Sequence, residues 1–447
     1  MHEASLTKGN IYTTMIKFAI PFLLANLLQA LYGAADLLIV GWFSDSAGLS
    51  AVATGSQILQ TLTCTIVGLA TGGTVLIGRF LGMGREEDVK QTIGTMLTLF
   101  AILAAALTAL LLVFARPVVS LMQAPPEAFD QTVQYTFLCG CGVFFIFGYN
   151  AISAVLRGMG DSKNPLLFVA IACVYNILGD LILVGGLHLG AAGAAIATTG
   201  SQGISMVLAV IFLKRRGFLF DFRLKSFGIR RDKAAALLKL GLPIALQESL
   251  VMLSFLFITA IVNQMGVAAS AAIGVTEKIN LFTLLPPTAF SSAIAAMVAQ
   301  NMGAGETGRS RRCLRIGILF SLVFGVACFV WLQLSPQSAM GIFTTDQAVV
   351  AAGSQYLRAF SIDCILVCFM FCLNGFFNGC GHSAFSMANN LLSTFLVRVP
   401  VAWLFSRIAG ATLFEIGLAA PLASAVSIVI AFVYLRTGKW KKLGHSS

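Results

Sequence analysis

The sequence predicts an all-α polytopic membrane protein. It is expected to have twelve transmembrane helices in two six-helix bundles, related by a pseudo-two-fold axis along the membrane normal. Three observations lead there. The first is composition: 58% of the 447 residues are hydrophobic and only 11% are charged, against roughly 25% charged in a soluble domain. The second is a succession of apolar runs, each long enough to cross a bilayer core, which takes about 20 residues. The third is an internal repeat whose unit is half the chain.

In chain order the runs fall at 14–43, 50–78, 91–115, 128–157, 164–185 and 190–214, then at 235–264, 270–300, 311–333, 350–379, 386–407 and 414–436. Short polar or Gly-rich links separate them, such as "GMGREED" after the second and "GMGDSKNP" after the fourth. Several runs exceed the length that a bilayer core of about 30 Å requires, so tilted or protruding ends are expected. The start, "MHEASLTKGN", is polar and lacks a short apolar core with a cleavage site, so the first span is expected to direct insertion itself. One link is longer: residues 214–233, "KRRGFLFDFRLKSFGIRRDK". It divides the chain into an expected N-terminal bundle, 1–213, and an expected C-terminal bundle, 234–447.

The net charge of +11 follows from orientation rather than from nucleic-acid binding. With an even number of spans, 24 of the 29 Lys and Arg residues fall on one side, in the N-terminus, the second, fourth and eighth loops, the central link and the C-terminus. The positive-inside rule makes that side cytoplasmic, with both termini on it. The ten cysteines lie almost all within apolar runs, and the four histidines His2, His188, His382 and His445 are scattered. Neither set makes a metal or disulfide pattern.

The halves match at four landmarks with an offset of 221 or 222. "IKFAIP" aligns with "LKLGLP", placing Pro21 opposite Pro243, and "IGRFLGMG" aligns with "VAQNMGAG". Tyr135 meets Tyr356, and "LRGMGDS" meets "FNGCGHS". Six spans per repeat means that both halves run the same way through the membrane, and the substrate path of such a protein runs between or inside the bundles.

An acid in the middle of a span is costly, about 2.5–3.5 kcal/mol on insertion scales. Asp36 is one. It ends a stripe of Asn26, Gln29, Gly33 and Asp36 on one face of the first span. Span five places Asn176 and Asp180 four residues apart, and span six carries Thr198, Gln202 and Ser205 at spacings of four and three. At 1.5 Å per residue, Asp36 lies roughly 10 Å from the outer end of its helix. Asn176, Asp180 and Thr198 fall in the same layer. The repeat supplies a control: the positions equivalent to Asp36 and Asp180 are Phe257 and Val401, so the scaffold does not need these acids. Two neighbouring carboxyl groups in an apolar surround suit proton exchange near neutral pH. Together with Asn176 and Thr198 they equally suit a hard monovalent cation such as Na+. Both chemistries stay open, and no further cofactor is expected. Gln29, Tyr32, Gln57, Gln202, Glu277 and Asn280 are candidates to line a substrate cavity, Glu277 by attracting a cation or else by pairing with a neighbouring base. Asp363 and Arg358, both in span ten, are expected to pair with each other. Pro21 is a candidate hinge, because proline removes a backbone hydrogen bond and crowds the preceding turn.

The twelve spans in two halves, "AIP…YGAADLLIVG" in span one, "GRFLGMGREED" after span two and "AVLRGMGDSKNP" after span four together resemble the MATE (multidrug and toxic compound extrusion) family over nearly the whole chain. The resemblance implies a monomeric efflux transporter in a bacterial cytoplasmic membrane, exchanging amphipathic drugs for protons or sodium ions by alternating access. It also implies that Asp36, the Asn176–Asp180 pair and Thr198 match the family's cation site, and that span one bends in some members. A lipid-linked oligosaccharide flippase of the same architecture is the alternative, but its cavity should hold several basic residues, and most here are in loops. A membrane-embedded enzyme would need clustered His or carboxylates near the surface, which the sequence lacks. No Gly-rich phosphate loop is present, so ATP is not the expected fuel. A channel would not require the acids to differ between repeats.

Overall fold

The computed structural model describes residues 6–215, 219–408, 410 and 412–441. The polar start through Ser5, and with it His2, lies outside the described residues, as does His445. Helix accounts for nearly all the rest, with no strand among the described residues. The spans are α1 (Ile11–Phe43), α2 (Ser46–Gly82), α3 (Glu86–Leu121), α4 (Phe129–Gly158), α5 (Lys163–Asp180), α6 (Gly190–Arg215), α7 (Arg231–Asn263), α8 (Val267–Gly303) and α9 (Thr307–Leu334). A short α10 (Pro336–Gly341) precedes α11 (Gln347–Gly379). The chain closes with α12 (Ser383–Ser393), α13 (Val399–Ser406), α14 (Leu413–Gly417) and α15 (Ala419–Arg436).

Among the described residues, eleven helical stretches are long and apolar enough to cross a membrane. The twelfth expected span, 386–407, is present but interrupted: a π-helical segment, Thr394–Arg398, joins α12 to α13. Span five has its own π segment, Leu181–Gly186, directly after Asp180. Such wider turns free backbone groups and concentrate at functional positions.

The helix ends bear out the repeat in three dimensions. Gly84 and Gly305 take left-handed backbone angles, φ +70° and +78°. After them, the amides of Arg85 and Glu306 close back onto the carbonyls of Phe80 and Asn301 at 3.0 and 2.8 Å. Gly160 and Gly381 repeat the motif at the ends of α4 and α11, with Asp161 and His382 donating to Leu156 and Phe377, each at 2.8 Å. This six-to-one closure after a left-handed glycine is the Schellman stop. The two repeats use it at the same two places.

Two compact units emerge, and among the described residues the second is built from two separate pieces of chain. The first holds Leu24–Ala245; the second holds Leu6–Leu23 together with the chain from Leu246 onward. The division runs through α1 and α7, not at the 214–233 link. In the second unit, Met15, Phe18 and Ala19 of α1 are buried in a core with Phe290, Ile294, Met297 and Phe376. In the first, the opening half of α7 lies backbone to backbone on α2: a Cβ on Gly72 would stand 2.6 Å from the Cα of Gly241. Small residues permit such approaches between membrane helices. Pro21 and Pro243 each stand just before the point where their helix passes from one unit to the other.

Candidate functional site

The acidic layer assembles inside the first unit from the second half of α1, the end of α5 and the first half of α6. Asp36 is 6% exposed, and Asn176 and Asp180 are fully buried. The Thr198 hydroxyl donates to Asp36 Oδ2 at 3.1 Å and accepts from Asn176 Nδ2 at 3.4 Å. Asp36 and Asp180 are close enough to act on each other electrostatically. All four residues read from the sequence as one layer are therefore in one cluster.

What the cluster lacks defines its chemistry. Asp36 Oδ1, Asn176 Oδ1 and both carboxylate oxygens of Asp180 are buried with no donor. Among the described residues, no Lys, Arg or His lies within ion-pair distance of either acid. Two unpaired negative charges side by side in a membrane interior carry a desolvation cost of several kcal/mol each. A proton shared by the pair satisfies one carboxyl group. A sodium ion satisfies the pair with the same oxygens, joined by Thr198 Oγ1 and Asn176 Oδ1, all hard donors of the kind that ion prefers. The donor set fits either.

Beside the cluster, Gln202 donates to the Tyr32 hydroxyl at 3.3 Å, which links the candidate cavity face of α1 to α6. Gln29 and Gln57 are exposed on their helices. Tyr135, visible in the sequence only as a repeat landmark, is buried in the same neighbourhood as Asp36 and Tyr32. Its ring occupies the space that a Gly55 side chain would take, 2.2 Å from an added Cβ. The signal for it was the pairing of an aromatic with a glycine on a facing helix, which spacing alone does not reveal.

Glu277 and Asn280 belong to the second unit and do not join this cluster. Glu277 is exposed and accepts from Thr259 at 3.3 Å, while Asn280 is buried with its carbonyl unsatisfied. The expected pairing of Asp363 with Arg358 is not found. Arg358 points outward, whereas Asp363 is 5% exposed and has Ser424 and Arg398 as neighbours. Five residues along a helix is more than one turn and turns the two side chains to different faces. The Arg398 guanidinium lies over the Phe255 ring at 4.2 Å.

Comparison with known proteins bears on the fold and the family. The MatE family profile matches twice, over residues 21–182 and 243–404, so each match opens on one of the two repeat prolines. A probable multidrug resistance protein of Bacillus subtilis (strain 168), YpnP, is 28% identical, with 99% of each chain covered. A FAD transporter of Shewanella oneidensis is 26% identical over 91% of this chain and 90% of its own. Among solved structures, an outward-facing multidrug resistance MATE family transporter superposes with a TM-score of 0.92 at 21% identity, covering 100% of this chain and 99% of its own. The fold, the doubled profile match and the extent of the likeness lead to one conclusion: this chain is a multi-pass membrane protein belonging to the MATE family of transporters.

Proposed function

We propose that the protein is a secondary active multidrug efflux antiporter, exporting amphipathic and often cationic compounds in exchange for H+ or Na+ by alternating access. The observation that carries this reading is the Asp36–Asp180 pair, buried and without a counter-charge in the first unit. Binding a cation removes a buried unbalanced charge, and releasing it restores one. That difference can bias a two-state protein only as far as the cation binds the two states unequally, which is the requirement for coupling. The relatives named as multidrug resistance proteins support the cargo class. The partners on this reading are small drug-like molecules and membrane lipid, with the protein acting as a monomer.

The test is transport in proteoliposomes loaded with a fluorescent lipophilic cation. Accumulation against the cargo's own gradient is expected, abolished by a protonophore if protons drive it or by sodium removal at fixed pH if sodium does. Transport indifferent to both treatments would overturn the antiport reading. FAD, the cargo named for one relative, serves as an anionic counter-cargo. Gradient-driven export of FAD and not of the cation would overturn the cargo class.

A further inference from the structure

At one end of the second unit, the first turn of α1 and the opening turns of α9 border an open cavity of about 510 Å³. Arg309, Arg312 and Arg315 line it together with Gly9, Asn10 and Tyr12. We propose that this cavity is a binding site for the phosphate headgroup of an anionic phospholipid.

The arginines divide into a wall and a pair of free cations. Arg309 holds the chain ahead of α1 in place: its two terminal nitrogens donate to the carbonyls of Gly9 and Lys8 at 2.9 and 3.0 Å. Its Nε is buried without a partner. Arg312 and Arg315 are exposed, and among the described residues neither has an acid within ion-pair distance. Both charges are therefore available to an anion. Along α9, which starts at Thr307, the three arginines recur at every third residue, and the N-cap acid Glu306 forms no ion pair with any of them. The repeat shows what the scaffold does otherwise. The positions one repeat earlier are Asp88, Gln91 and Gly94. The helix there, α3, begins Glu86, Glu87, Asp88, and Asp88 is neutralised inside the protein by Lys233 at 2.6 Å. One repeat balances this corner internally; the other leaves it positive. The positive-inside tendency accounts for basic residues in a loop, but not for three that converge on one cavity.

The cavity's other wall favours lipid over a free anion. Tyr12 is 51% exposed and places an amphipathic ring beside the arginines, as aromatic residues do at membrane interfaces. From there both helices continue with exposed apolar side chains: Ile16 follows Tyr12 by one turn, and Leu319 and Val323 follow Arg315 by one and two. A phosphate among the arginines would leave acyl chains to run along that apolar surface. Basic pockets at helix ends recognise anionic headgroups in this manner.

The experiment is native mass spectrometry of the purified protein titrated with phosphatidylglycerol or phosphatidylcholine. The wild-type protein should retain phosphatidylglycerol preferentially. Each removed arginine should weaken that binding about fivefold, so Arg315→Gln loses about fivefold and Arg312→Gln/Arg315→Gln roughly thirtyfold. Arg312→Lys/Arg315→Lys should stay near wild type, since the charges remain. Arg223→Gln/Lys225→Gln removes the same charge from the central link and should change nothing. No preference for phosphatidylglycerol over phosphatidylcholine would overturn the proposal, as would equal loss in the link variant. Displacement of the lipid by millimolar inorganic phosphate would assign the cavity to a free anion and overturn it too. Should the double Gln variant fail to fold, Arg315→Gln beside the Lys pair decides the matter.

Discussion

Asp36 carries the most weight of any single residue, because it is the acid whose cost in a membrane span has no structural return in the sister repeat. Replacement by Asn keeps the shape and the Thr198 hydrogen bond while removing the charge. Asp36→Asn is expected to insert and fold, with cation-driven accumulation in proteoliposomes at least tenfold below wild type; wild-type accumulation would remove Asp36 from the coupling site. Asp180→Asn should also weaken coupling, since Asp180 acts electrostatically on Asp36 and has no donor of its own. Full coupling in that variant would leave Asp36 working alone. These four polar side chains were legible in the sequence because helical periodicity and depth are both one-dimensional quantities: a spacing gives the face, and the distance to a helix end gives the layer. The environment of Asp363 was not legible. Its neighbours come from α12–α13 and α15, and no spacing within α11 reports which helix packs on that face. The arginine cavity was hidden for the same reason, since Asn10 and Arg315 are separated by most of the chain.

The elements repeat more faithfully than the polar residues do. Gly158 of α4 and Gly379 of α11 occupy equivalent places, and a Cβ on either would stand 2.8 or 2.7 Å from a backbone carbonyl, that of Thr74 on α2 or Ala295 on α8. The facing atoms are repeat-equivalent as well. Backbone cannot give way as a flexible side chain can, so Gly158→Val and Gly379→Val should each destabilise the protein by about 1–3 kcal/mol through overpacking, read as a lower thermal midpoint in detergent. Gly33→Ala is the contrast: nothing lies within 4 Å of its added Cβ, and the midpoint should not fall. The sequence showed that these glycines recur; the carbonyls they make room for required the fold. Proline has a related pair. Pro21→Ala should leave the protein folded yet slow turnover more than Pro243→Ala does, because only α1 joins its proline to a buried acid fifteen residues on. Equal slowing would assign both prolines to helix geometry alone.

At the scale of the whole molecule, twelve spans and a two-fold repeat were readable from hydropathy and offset, but the composition of the compact units was not. Nothing in the apolar run of α1 distinguishes residues that pack in one unit from those that pack in the other; the only mark is a proline. The crossover makes a sharp prediction about severed chains. Two fragments cut within 219–230 would each lack a piece that its own unit requires, residues 231–245 for the first and 6–23 for the second. Each alone is expected to be degraded or aggregated, and co-expression should restore a protein that purifies as a pair and transports. Independent folding of either fragment would show the exchanged segments to be dispensable. The same exchange sets an order on biosynthesis. The segment bearing Met15 and Phe18 leaves the ribosome well before its core partners Phe290 and Phe376 are made. The earlier unit, for its part, stays incomplete until Ala245 has been synthesised. The nascent chain must therefore hold its first helix half-docked in lipid for most of translation, which makes that helix the place where a membrane chaperone has the longest opportunity to act.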